Sequence, residues 1–499
     1  MTASTSEPRT YGNWRRPTSP GIAGFGLLGT AVLMGGLLLL VIALMVFGFA
    51  AAGGVAVATL LMLGLLSHRD KHGRNAGQRI LTRIGWARTR RRGANLYRSG
   101  PLGRVPWGRN QLPGLAARSE LSEWRDSYGR VFALIRVPQT NHYTVVVQTQ
   151  PDGASLVDED QVDRWVAGWG SWLSRLSQET DVVAAAVTID TAPDTGARLR
   201  LEVESNLSPQ GHPAAHAMLR EAARTYPAGS AQIRAFTAIT VKGVTPSGKR
   251  RPIGDVARDI GSRLPGITAT LADTGAGAAH LVDAYEMCRL VRTAYDPAVA
   301  AVFDEAHAAG ERVELDWTDV GPVAQDASWS ALRHDSCWSV SWTMTQPPRG
   351  LALSSCLASL VGTHSDVDRK RVTLLYRPIP AGTAAAIVEA DKRNAEFGVN
   401  GQARVTARAS TDLKAASATA TEEARGSGLV NFGMVVTATV TELDRLDDAK
   451  AALTNLSAGA RILLRPAYGS QDSAFAASLP LGLVLPVHLK VPAALRAAV

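Results

Sequence analysis

Five short stretches carry residue types that can do chemistry. Gly243-Val-Thr-Pro-Ser-Gly-Lys-Arg250 reads G-x-x-x-x-G-K, the frame in which backbone N–H groups wrap phosphates and a lysine meets their charge. A nucleotide loop then needs a Ser or Thr hydroxyl for Mg²⁺, and Arg250 stands there instead. Pro252 also interrupts the place where a phosphate-facing helix would begin. A strand ending in the aspartate that completes such a site is missing too, since the hydrophobic runs end at Thr345, Arg377 and Glu442. Thr245-Pro-Ser-Gly248 has the composition of a type I turn. We therefore expect a basic turn joining a strand to a helix, with Lys249, Arg250 and Arg251 as a compact positive patch open to solvent, lipid, partner or nucleic acid.

The other stretches are weaker. His212 and His216 stand four apart, but Pro213 marks a helix start and no third ligand lies nearby, so capping by His212 and a surface place for His216 are expected rather than a metal. His334-Asp-Ser-Cys337 gathers the letters of a nucleophile, base and acid. Neighbours on a strand point to opposite faces and cannot line up that way. Asp158-Glu-Asp160 and Asp366-Val-Asp368 match the loose D-x-D of metal-dependent glycosyltransferases and read equally as solvated helix caps. No catalytic, cofactor-binding or metal-binding residue is expected, and the chain reads as a non-enzyme.

The elements that would position any such residue begin with a membrane segment. From Pro17 to His68 there is no charged side chain, and Gly21–Leu66 is almost wholly apolar or small. One crossing takes about 20 residues, so the run reads as a two-helix transmembrane hairpin over 21–66: a first helix near Ile22–Val46, a Gly/Ala turn at Gly48–Gly54 and a second helix to Leu66. A cleaved signal peptide would have a much shorter apolar region. Gly24, Gly29, Gly35, Gly36 and Gly64 suit close helix packing.

Charge orients the hairpin. Arg9, Arg15 and Arg16 precede it, and residues 69–109 hold twelve basic residues against Asp70 alone. Both flanks, and with them both termini, are expected on the cytoplasmic side. The whole chain carries only +9, so the part from residue 110 onward is slightly acidic. The basic character belongs to the membrane margin and gives no sign of a DNA-binding domain. Ile80, Leu81, Ile84 and Trp86 alternate with Arg79, Arg83, Arg88 and Arg90, which suits a helix lying on an anionic leaflet, with Arg69–Arg92 as the lipid contact. Cys288, Cys337 and Cys356 are three widely spaced thiols and read as free cysteines in a reducing compartment.

Beyond a tail at 1–20, the hairpin and a basic juxtamembrane segment at 67–110, strand and helix patterns alternate. Strands are expected at Val131–Val137, Tyr143–Gln150, Val182–Thr191, Arg198–Ser205 and Gln232–Val241, and helices at Glu159–Gln178 and Pro213–Thr225. The second set has helices at His280–Ala294, Leu351–Val361, Thr383–Asn394, Ala407–Ala424, Asp444–Asn455 and Asp472–Ala477. Its strands are expected at Ser339–Thr345, Val372–Tyr376, Asn431–Val440 and Arg461–Arg465. The fold class is α+β, read as two ferredoxin-like modules over 111–275 and 276–499.

The order of pieces is itself recognisable. Thr10-Tyr-Gly-Asn-Trp-Arg-Arg16, the hairpin, Tyr97-Arg-Ser-Gly100, Ala294-Tyr-Asp-Pro297, His334-Asp-Ser336, Arg371–Pro378 and Leu479-Pro-Leu-Gly482 resemble, over nearly the whole chain, a family of integral membrane proteins of actinobacterial conjugative elements. In that family the hairpin is similar to the small PrgI-type subunit of type IV secretion machines. The rest is similar to the amino-terminal, non-catalytic domain of the VirB-type conjugation ATPase, without its motor. The resemblance implies a membrane-anchored component whose partners are a separate conjugation ATPase and other membrane subunits, with no cofactor. Self-association and direct nucleic-acid contact stay open. An EccE-like component of a type VII secretion system is the alternative, and a membrane-bound glycosyltransferase using a D-x-D pair is a third.

Overall fold

In a computed structural model the chain is described over residues 26–489, apart from 68–69, 71, 101–102, 104–108, 152–156, 195, 226–230, 246, 349–351 and 401–405. The motif Thr10–Arg16, the tail 1–20, Gly24 and the start of the first membrane helix lie outside the described residues.

Two apolar helices, α1 (Gly26–Phe47) and α2 (Phe49–Ser67), form an antiparallel hairpin, each long and apolar enough to cross a membrane. The turn is shorter than expected: only Gly48 leaves the helices, in the left-handed region at φ 83°, and Ala50–Gly54 already belong to α2. Of the glycines read as packing positions, Gly36 is where the helices touch, since a Cβ there would run into Thr59. Gly35 and Gly64 have open space beside them.

The amphipathic α3 (Ala76–Arg91) follows, opened by a reciprocal Asn75/Gln78 capping box. The rest is β1 (Leu96–Arg98), β2 (Glu120–Arg125), β3 (Val131–Val137), β4 (His142–Gln150), α4 (Glu159–Gln178), β5 (Val182–Pro193), α5 (Ala197–Asn206), α6 (Pro213–Thr225), β6 (Ala231–Lys242), α7 (Ile253–Ala272), β7 (Ala278–Leu281), α8 (Ala284–Tyr295), α9 (Val299–Ala308), β8 (Ala324–Ala327), β9 (Leu332–His334), β10 (Cys337–Gln346), α10 (Ala358–Val361), β11 (Arg369–Ile379), α11 (Ala381–Asn400), α12 (Ala407–Ala424), β12 (Leu429–Val440), α13 (Leu446–Gly459), β13 (Leu463–Pro466), α14 (Gln471–Ala477) and α15 (Leu485–His488).

All these strands belong to one antiparallel sheet in the order β1-β8-β9-β10-β12-β11-β5-β6-β4-β3-β2, with β7 on β4 and β13 on β10. The boundary expected near residue 275 therefore does not separate two sheets. β7 lies beyond it and returns to β4, from Val147↔Leu281 to Gln150↔Ala278. β5 and β11 join the halves along seven rungs, with Thr188 opposite Thr373.

The same connectivity occurs twice. β4-α4-β5-β6-α7-β7 lies in the order β7-β4-β6-β5, and β10-α10-β11-β12-α13-β13 lies in the order β13-β10-β12-β11. Each half inserts a helical pair between its second and third strands, α5–α6 and α11–α12.

Several expected elements differ. Arg198–Ser205 is helical, within α5. Its Arg-Leu-Arg-Leu-Glu-Val alternation has a strand's period, yet the segment packs on α6 and α9 rather than on a neighbouring strand. The segment His280–Ala294 begins as the end of β7 before α8 starts behind the Asp283 cap. Leu351–Val361 is helical only over α10. The helix α7 carries Pro265 and several glycines in its body, breakers that hide it from pattern reading. Gly261 packs closely there, since a Cβ would stand 3.2 Å from the Arg125 carbonyl oxygen.

One face of the first half packs Trp172 and Leu176 of α4 and Val256, Ile260, Leu264 and Leu271 of α7 against Phe132, Leu134, Val145 and Ile239. α10 and α13 cover the corresponding strands of the second half through Leu360, Leu446 and Leu453. Against the opposite face of the first half lie Met287, Val291 and Tyr295 of α8, and Phe475, Leu479 and Leu481 of the C-terminal segment.

Candidate functional site

The G-x-x-x-x-G-K stretch closes on itself. Val244 bridges Arg250, Thr245 N–H donates to the Lys249 carbonyl at 2.8 Å, and Gly248 turns through φ 82°. α7 starts only after Pro252, so no run of free N–H groups is presented for a phosphate. The expected patch is split. Lys249 and Arg250 are exposed, whereas Arg251 reaches Asp181 at 3.4 Å and Asp259 at 3.2 Å. Arg263 joins the same acids, and its guanidinium together with that of Arg251 holds the Asp259 carboxyl below its usual range against the opposing effect of burial.

His212 accepts from Ala214 N–H at its Nδ1, capping the start of α6. Among the described residues no three His, Cys, Asp or Glu side chains gather as a metal site. Asp158 and Asp160 are exposed at the start of α4. Asp368 is a brace, accepting from the Thr441 N–H and hydroxyl at 2.8 Å and pairing with Arg445 at 2.5 Å.

His334-Asp-Ser-Cys337 is a tight hairpin with Cys337 opposite His334. His334 is fully buried, its Nδ1 2.5 Å from the Tyr295 carbonyl and its Nε2 2.7 Å from the Ser339 hydroxyl. A carbonyl can only accept, so Nδ1 carries the proton and Nε2 accepts from Ser339. Burial pushes the imidazole down to about 4. Asp335, at φ 44°, accepts from Val323 N–H at 2.7 Å and pairs with Arg292 at 3.0 Å, which also holds Asp296. The motifs Ala294–Pro297 and His334–Ser336, distant in sequence, thus meet as one joint between α8 and the sheet. Tyr97 lies beside it, donating to the Gln111 carbonyl at 2.5 Å, with its phenol pushed up to about 12, first by burial and then by Asp335.

Leu479–Gly482 lies across the sheet. The Ser478 carbonyl accepts from Thr373 at 2.8 Å and the Gly482 carbonyl from Thr240 at 3.3 Å. Gly482 sits at φ 67°, where a Cβ would fall on the Thr144 and Thr240 hydroxyls. These motifs are joints of the fold.

Two features face outward. The first is the membrane junction. α3 docks on the sheet domain through Trp86, edge-on to Trp329 at 6.2 Å, which stacks on Tyr468 at 5.6 Å. Ile80, Leu81 and Ile84 remain exposed, Leu81 by 70%. No described carboxylate forms an ion pair with Arg79, Arg83, Arg88, Arg90 or Arg91 of this helix.

The second is a charged cleft of about 810 Å³ where the ends of β4 and β6 meet α5, α8 and α9. Arg289 there stands 3.8 Å from Asp304. Burial, then repulsion by Arg289, lowers Arg234, while burial raises the Glu286 carboxyl. Sequence reasoning missed this cleft because its residues come singly from separate elements and no local spacing joins them.

A family model described as a domain of unknown function (DUF8461) matches residues 18–78, the hairpin and the start of α3. No curated protein matches the chain in sequence.

Proposed function

We propose that the chain is a non-enzymatic, membrane-anchored structural component of a conjugative type IV secretion machine, which docks a separate secretion ATPase at the inner face of the membrane. The observation that carries this reading is the coupling of an exposed apolar hairpin, through the Trp86–Trp329–Tyr468 joint, to one continuous sheet. Such a joint transmits position and force without chemistry. We read each half as a ferredoxin-like module, supported by the strand order shared between them, and the basic run behind the hairpin supports cytoplasmic termini with Arg69–Arg92 against anionic lipid. The order of the Tyr97, Tyr295, His334, Arg371 and Leu479 motifs supports the conjugative family, whose members act beside an ATPase.

The test is affinity capture of the tagged full chain from membranes of its own cells under mild detergent. Co-recovery of a conjugation ATPase, lost on deletion of residues 1–92 together with DNA transfer, is the expected result. Transfer at normal efficiency by the deleted chain overturns the anchoring role. Recovery of small secreted helical substrates with no such ATPase overturns the conjugative one.

A further inference from the structure

We infer that the angle between α2 and α3 seats one anionic phospholipid, with an acyl chain in an apolar groove and its headgroup on the arginines of α3. This rests on the membrane-anchored reading and names the lipid chemistry at that anchor.

The groove holds about 560 Å³ and is lined by Val57, Leu60, Leu61, Gly64 and Leu65 of α2 and by Ala76, the first residue of α3. Its depth comes partly from Gly64, which has no atom within 4 Å of where a Cβ would stand. α3 closes one end by folding back on the last turn of α2, bringing Gly77 within 3.6 Å of Leu66 for an added Cβ. Lipid tails are as apolar as the leucines that line this groove, so an acyl chain suits it. The selectivity comes from what lies at its mouth.

Positions 76, 79, 80, 83 and 87 follow one side of a helix, so Arg79 and Arg83 continue the line that starts at Ala76 in the groove. The Arg79 Nε is buried with no hydrogen-bond partner among the described residues. Asp70, the one acidic residue of the juxtamembrane run, is already engaged, its Oδ1 accepting from His72 N–H at 2.9 Å and Arg74 N–H at 3.0 Å. Asp70 also feels the charge of Arg79, but a single acid leaves the arginines of α3 in excess, and an excess of cations at the membrane surface favours a headgroup with net negative charge over a zwitterionic one. Arginines on the side of α3 that carries the groove-lining Ala76, beside a chain-sized apolar channel, complement both ends of one lipid.

The experiment is native mass spectrometry of the full chain from detergent micelles, titrated with phosphatidylglycerol or phosphatidylcholine of the same acyl chains. We expect one phosphatidylglycerol retained with about thirtyfold preference, given two arginines at the surface. Arg79→Gln with Arg83→Gln should bring the two lipids level while neutral lipid still binds. Gly64→Leu, which fills the groove, should lower retention of both, with Gly64→Ala giving a graded effect and circular dichroism reporting the fold. Equal retention of the two lipids by the wild-type chain overturns the inference, as does phosphatidylglycerol retention unmoved by every variant. Neither outcome touches capture of the ATPase, which is read separately.

Discussion

The two halves of the sheet place like positions in unlike surroundings. Register about the Thr188–Thr373 rung makes Thr144–Thr240 of the first half the counterpart of Ser339–Thr439 of the second, and both are buried hydroxyl pairs, at 3.0 and 2.7 Å. The first is closed by the Gly482 backbone and the second by His334. The same register sets Arg369-Lys-Arg371 of β11 against Ala184-Ala-Ala186 of β5. One half keeps three small residues there; the other buries three cations, of which Arg369 pairs with Asp190. Arg371 finds a partner in the Phe475 ring at 4.5 Å, and Lys370 Nζ has no hydrogen-bond partner among the described residues. A shared connectivity therefore constrains backbone register and leaves each half to solve its own polar burial.

Gly482→Ala strikes the joint that only the first half has. An L-residue at φ 67° costs about 1–2 kcal/mol, and crowding two buried hydroxyls adds about 1–3 kcal/mol. A loss of about 4 kcal/mol in urea unfolding is expected, partly recovered by adding Thr144→Ala. A loss under 1 kcal/mol would mean that the C-terminal segment can lift away without cost.

Acid should reach both halves through histidines on equivalent rungs, His142 opposite Val137 and His334 opposite Cys337. Burial is the main cause that pushes each down to about 4. Folded values below the unfolded one mean that the unfolded chain takes up protons first, so stability is whole above pH 6.5 and is lost as pH falls towards 4. Each histidine accounts for about 3 kcal/mol of that loss. Denaturation at stepped pH should show His142→Leu removing about half of the histidine-linked slope; an unchanged slope would place the acid response in the second half alone.

Lys370→Met tests the cations of β11. Burial lowers the ammonium to about 8, so the native lysine costs stability at neutral pH, and that cost fades between pH 8 and 10.5 as the folded form loses its proton ahead of the unfolded one. The substitution should raise stability by about 2 kcal/mol at pH 7, with the gain gone by pH 10.5. A loss at pH 7 would show that the lysine has a partner in the working assembly.

The hairpin is plain in the sequence because an uncharged run of its length has few other uses, and α12 is copied almost residue for residue from its helix-forming composition. The unity of the sheet is not plain. Ala278–Leu281 is too short to announce itself as a strand, and its pairing with β4 depends on α7, which Pro265 and Gly261 disguise. The site suffers likewise: Tyr97, Arg292, Tyr295, Asp335 and His334 form one joint through contacts that span more than two hundred residues, where spacing carries no signal. The short motifs at Tyr97, Tyr295 and His334 marked these positions without revealing that they meet in one joint.

The smallest effect separates the two inserted helical pairs. α5 packs on α9 as well as on α6, so that pair is held against the body of the first half. α11 and α12 are 20 and 18 residues long and, among the described residues, are rooted near their base, where Ala384 and Val388 meet Ile379 and Leu429. Phe397 stands farther along α11 and is 79% exposed. A side chain already in water loses little when shortened, so Phe397→Ser should move stability by no more than about 0.5 kcal/mol. Amide exchange should run faster in α11 beyond Val388 than in α5, because local opening there exposes little apolar surface. Equal protection in the two pairs would mean that the long arm is held by something besides its own partner helix. In that case Phe397→Ser should lower the protection of α11 and leave α5 unchanged.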